Sequence, residues 1–152
     1  MLLAAAAARG DGGLICLSER AGSFVVTVFT AQAPLRVGPI DVSVLVQSAA
    51  DHAPVLDAEV QVTLHAGGIE RTATATHAAA TNKLLYAASL DVAVPGRWSL
   101  ATDVRAGDHV AVSCAIDIAP PSPPMVAFWP YLALPGVLIA LFALQQWLKA
   151  RP

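Results

Sequence analysis

Between Leu14 and Ile118, apolar and polar residues alternate with period two, and clusters of Gly, Pro or Asp interrupt the alternation about every ten residues. Successive side chains of a strand leave opposite faces of the pleat, so this period describes half-buried strands and not amphipathic helices. The pattern predicts strands near Leu14–Leu17, Phe24–Thr30, Ile40–Gln47, Ala58–Ala66, Ile69–His77, Leu84–Val92, Arg97–Arg105 and His109–Ile118. In the third of these, Val42, Val44 and Val46 share one face while Asp41, Ser43 and Gln47 share the other. Many short strands at such spacing predict an all-β fold, an immunoglobulin-like antiparallel sandwich of seven to eight strands over residues 14–118.

Two hairpins have a register that the sequence itself tests, because a slip of one residue would turn every inward side chain outward. With Gly67-Gly68 as a two-residue turn, Val60 and Val62 stand opposite Ala75 and Ala73. The other face then pairs Glu59 with Thr76, Gln61 with Thr74, Thr63 with Thr72 and His65 with Glu70. With Ala106-Gly107-Asp108 as the second loop, Trp98, Leu100, Thr102 and Val104 lie opposite Ile116, Cys114, Val112 and Val110. Arg97 and Asp117 meet outside.

After Ile118 the alternation stops. Residues 119–124 read Ala-Pro-Pro-Ser-Pro-Pro, which favours extended polyproline II and makes a stiff spacer of roughly 15 to 20 Å. From Ile118 to Leu148 no side chain is charged. Residues 125–148 are therefore expected to form one membrane-spanning helix, since about 20 apolar residues cross the hydrocarbon layer. Pro130 suits a first helical turn, Pro135-Gly136 should loosen the next, and Trp129, Tyr131 and Trp147 fit the two headgroup layers. Lys149 and Arg151 place the tail, residues 149–152, in the cytoplasm. The apolar Met1–Ala8, followed by polar residues to Gly13, reads as the remnant of a secretory signal. These features predict a single-pass protein of a bacterial inner membrane with its β domain outside the cytoplasm.

Composition then removes several functions. A net charge of −2 without any run of basic residues excludes a nucleic-acid footprint. The chain carries no Gly-x-Ser-x-Gly elbow, phosphate loop, dinucleotide fingerprint or His-Glu-x-x-His helix, so no catalytic residue is predicted and the protein is not expected to be an enzyme. Asp51-His52 and Asp108-His109 are adjacent acid and imidazole pairs that mark turns. The four histidines form no His-x-His or His-x-x-x-His pair; His65 and His77 are the weak metal candidates, with His65 set against Glu70. Cys16 and Cys114 allow two readings: a disulfide, which by closing a loop of about 100 residues would stabilise by about 4 to 5 kcal/mol, or two separate buried thiols. Among the connecting segments, 49–55 and 77–83 are candidate contact loops, the latter through His77, Thr81, Asn82 and Lys83.

Gly22-Ser23-Phe24 and its Val-rich strand, Ala33-Pro34-Leu35-Arg36-Val37-Gly38-Pro39, Leu56-Asp57-Ala58-Glu59-Val60-Gln61-Val62, and Leu85-Tyr86-Ala87-Ala88 followed by Pro95-Gly96-Arg97-Trp98 together resemble the YtkA-like and FixH-like periplasmic domains. The resemblance covers roughly Gly22 to Val112 and implies an extracytoplasmic sandwich, with copper handling or respiratory-oxidase assembly as the activity often linked with such domains. FixH-type proteins usually place their helix before the domain; here it follows. Three functions are thereby expected: a membrane-anchored interaction module without catalysis, a copper-handling or oxidase-assembly factor, and an accessory subunit of a membrane transport complex. The partners implied are the lipid bilayer and a membrane or periplasmic protein.

Overall fold

A computed structural model describes residues 13–31, 33–122 and 129–149. The expected signal remnant, apart from Gly13, lies outside the described residues, as do 123–128 and 150–152. The chain divides into two compact units, Met1–Pro121 and Ser122–Pro152.

The described residues of the first unit hold nine strands: β1 (Leu14–Ala21), β2 (Phe24–Thr30), β3 (Leu35–Arg36), β4 (Gly38–Ser48), β5 (Glu59–Ala66), β6 (Ile69–Ala75), β7 (Tyr86–Val92), β8 (Gly96–Ala106) and β9 (Asp108–Ala119). They form two sheets, one ordered β1-β2-β4-β7 and the other β3-β9-β8-β5-β6. Every pairing is antiparallel except β3 with β9. Period-two placement of β-branched residues explains the architecture. Val26, Val28, Val42, Val44 and Val46 from one sheet, and Val60, Val62, Leu64, Leu100 and Val104 from the other, are almost fully buried in one shared core. Trp98 joins it with its indole N–H donating to Val94 O at 3.1 Å, which keeps the one polar atom of that ring satisfied.

Both hairpin registers hold. Val60 faces Ala75, Thr63 faces Thr72 and His65 faces Glu70; Trp98 faces Ile116, Leu100 faces Cys114 and Arg97 faces Asp117. The β8–β9 ladder closes further than expected, with Ala106 opposite Asp108 across Gly107, whose φ of 80° is open to glycine.

Three expectations need correction. β6 ends at Ala75, so Glu59 does not pair with Thr76; Thr76 crosses to the other sheet, where its N–H donates to Ala87 O at 2.9 Å and its carbonyl accepts from Ala87 N at 3.0 Å. The seventh strand starts at Tyr86 because Leu84 and Leu85 belong to the preceding loop. The two-residue β3 was not expected at all, being too short to display a period.

The second unit contains α1 (Trp129–Lys149), 21 residues with Pro135 inside and Lys149 in its last turn. Among the described residues no helix is long and apolar enough to cross a membrane. The expected span 125–148 begins in residues outside that set, and the side chains of Leu132, Val137, Leu144 and Leu148 lie outside it too. Within α1, Pro135, Gly136, Gln145 and Gln146 dilute the apolar sequence.

Candidate functional site

Outward positions on β4 and β7 carry short side chains. Asp41 pairs with Ser89 and Ser43 with Ala87, while their neighbours Val42, Ala88 and Leu90 point into the core. A sheet surface this low leaves room above it. The connection between β6 and β7 fills part of that room, leaving a cavity of about 360 Å³. Asp41, Ser43 and Ser89 line it from the sheet, and Thr81 and Asn82 line it from the loop, with Ala79, Ala80 and Ala87 as apolar contact.

The loop is held by its own polar groups. Lys83 Nζ donates to the carbonyls of Ala80 at 2.8 Å, His77 at 3.0 Å and Ala78 at 3.4 Å, so one ammonium gathers three backbone oxygens that a loop would otherwise leave to water. Asn82 Oδ1 accepts from Leu84 N at 3.0 Å, and Thr76 Oγ1 accepts from Ala79 N at 3.3 Å. His77 stands between two carbonyl oxygens, Leu85 O 2.9 Å from Nδ1 and Leu56 O 3.1 Å from Nε2. A neutral imidazole donates from one nitrogen, whereas the imidazolium donates to both. Its ring lies 3.9 Å, centroid to centroid, from that of Tyr86. The Tyr86 hydroxyl donates to Val55 O at 2.8 Å and accepts from Ala58 N at 2.9 Å. Burial pushes this phenol above its ordinary range, against the opposing pull of the Ala58 N–H.

The four predicted loop residues therefore divide in two. His77 and Lys83 are structural ties, and Thr81 and Asn82 line the cavity. The second expected contact loop, around Asp51-His52, is a turn as read: Asp51 Oδ1 accepts from Ala53 N at 3.2 Å, and Gln47 Nε2 donates to His52 O at 2.8 Å. Hydrogen bonding from Ser48 holds the Asp51 carboxyl below its usual range.

His65 and His77 are not brought together. His65 faces Glu70 near the turn of the β5–β6 hairpin, and His77 follows the far end of β6, seven residues further along and thus roughly 20 Å away. His109 pairs with Asp103 at 3.1 Å on the exposed surface. Among the described residues no group of three or more His, Cys, Asp or Glu is placed to hold a metal ion.

Cys16 and Cys114, by contrast, are neighbours. Ile15 pairs with Phe29 and Leu17 with Val28, so Cys16 is the extra residue of a β-bulge, a distortion that re-aims a side chain. Its thiol donates to Thr30 Oγ1 at 3.7 Å, and β1 packs against β9, which carries Cys114. Burial, with Cys16 beside it, pushes the Cys114 thiol up to about 11. Both are thiols in this structure, half-buried against the core.

Sequence reasoning missed the cavity. Its only trace in the chain is the run of short outward residues at positions 41, 43, 87 and 89, which gains meaning once β4 and β7 are known to pair. No protein-family model matches the chain, and no match to a curated protein is found.

Proposed function

We infer that this protein is a non-catalytic, membrane-anchored interaction module, an extracytoplasmic immunoglobulin-like sandwich that presents the cavity over β4 and β7 to a protein partner. The observation that carries this reading is the division of labour in the 76–85 loop: Lys83 and His77 are spent on backbone carbonyls, which fixes Thr81 and Asn82 over a cavity floored by Ser43 and Ala87. Rigid presentation of small polar groups favours binding, because little side-chain or loop entropy is lost when a partner docks. With Asp41 as its carboxylate, the cavity suits a partner side chain that bears N–H donors. The parallel docking of β3 on β9 supports the immunoglobulin-like assignment, as does the resemblance to YtkA-like and FixH-like domains. Anchoring rests on the sequence from Ile118 to Leu148, which holds no charge.

Two measurements test it. A photo-crosslinker at Asn82 in the full chain should capture one partner in native membranes, and Ser43→Trp, which fills the cavity, should abolish capture. Equal capture from a crosslinker at Ala111 on the other sheet, or capture that persists with Ser43→Trp, overturns the site. Carbonate washing should leave the full chain in the membrane and release the Leu138→Lys, Leu141→Lys variant; release of the unaltered protein overturns the anchor.

A further inference from the structure

The two half-buried thiols come from opposite ends of the β domain and from different sheets. Cys16 sits on β1, an edge strand, and Cys114 on β9, between β3 and β8. In a regular β1–β2 ladder Cys16 would have a cross-strand partner; the bulge removes that pairing and turns its sulfur toward Thr30 and Cys114. Cys114 lies in the inward row with Val112 and Ile116, and β1 packs against β9, so both thiols lie against the core where the two sheets close on each other, near enough for Cys16 to act on the Cys114 thiol. We propose that Cys16 and Cys114 are a reversible redox pair, forming an intramolecular disulfide by exchange with a small disulfide and tying the edge strand of one sheet to the other.

The exchange balances with one disulfide consumed and two thiols released. The Cys16 thiolate attacks one sulfur of the donor, expelling a thiolate and leaving a mixed disulfide on Cys16. Cys114 then gives its proton to water and attacks Cys16 Sγ, which forms the internal bond and expels the second thiolate. Burial, the largest cause of the raised Cys114 thiol, persists in the mixed disulfide, so few molecules carry the Cys114 thiolate near neutrality and ring closure is the slow step. A reduced thiol in excess reverses both steps.

Full-length protein in detergent is treated with oxidised glutathione, quenched with acid and alkylated. Both thiols should become unreactive, the chain should remain a single copy lighter by two hydrogens, and its digest should contain a Cys16–Cys114 peptide. Cys114→Ser should stop at the glutathione adduct on Cys16. In the wild type that adduct should decay about tenfold faster per pH unit between pH 7 and 9, since closure needs the Cys114 thiolate. The oxidised form should melt about 10 °C or more higher, and dithiothreitol should return it to the starting value. Retention of two alkylatable thiols in the folded protein overturns the pair, as does a disulfide formed between two chains. Closure that is no faster in the folded protein than in urea overturns it equally, because the fold would then contribute nothing to bringing the sulfurs together.

Discussion

The outer faces of the two sheets are built from similar residues, yet over β4 and β7 the connection that follows β6 walls a cavity. On β8 and β9 the outward row includes Ala101, Ala111, Ser113 and Ala115, side chains as short as the Ser43, Ala87 and Ser89 of β4 and β7. What separates the faces is the connection that follows β6. Its Thr76 bridges to Ala87, and Ala79–Asn82 then line a cavity with the sheet below. Small residues supply depth, but a fixed loop supplies the wall. The face of β5 and β8 carries polar pairs instead, such as Glu59 and Arg105 with 4.0 Å between their charged atoms.

The largest expected effect strikes what the faces share. Leu64→Ala, in the common core, should lower stability by about 2 to 5 kcal/mol in urea unfolding and do so in one transition for both sheets. Two separate transitions would mean the sheets do not depend on one core. Lys83→Met attacks the cavity wall alone: losing a charged donor to three carbonyls should weaken the loop by about 1 to 2 kcal/mol, read as faster amide exchange over residues 77–85 with β8 and β9 unchanged. Uniform acceleration across the domain would contradict a local role for this lysine. On the inward side of the other sheet, Thr102 Oγ1 is buried without a hydrogen-bond partner among the described residues. Thr102→Val keeps the shape and should raise stability by about 1 kcal/mol, so an earlier urea midpoint would show that the hydroxyl is satisfied. Smallest of all, Glu59→Gln should shift the midpoint by less than about 0.5 kcal/mol, since both partners are more than half exposed. A larger loss would make the polar face a stabilising network.

The inward valines of β4 and β5 were legible because burial on one face forces period two, and both hairpin registers were legible because a glycine turn fixes which residues meet. Thr76 was misread for an instructive reason: nothing in its own side chain says that the chain changes sheets there, and continuing the ladder to Glu59 satisfied the pattern equally well. The cavity depends on residues some forty positions apart becoming adjacent, which alternation does not encode. Cys114 was correctly read as inward, but the proximity of Cys16 rests on a bulge that inserts one residue into β1 without a sequence mark of its own. His77 was read as a possible ligand because its surroundings, the carbonyl oxygens of Leu56 in another connection and of Leu85 at the far end of its own loop, are set only by the folded chain.

The bulge in β1 also bears on how this molecule meets others like it. An edge strand offers a row of unpaired backbone groups on which a further chain could template a growing ribbon. Uninterrupted growth needs those groups at an even spacing, and the extra residue at Cys16 shifts the phase of the row partway along. The same irregularity that aims a sulfur inward thus spoils the strand as a seed for fibrils.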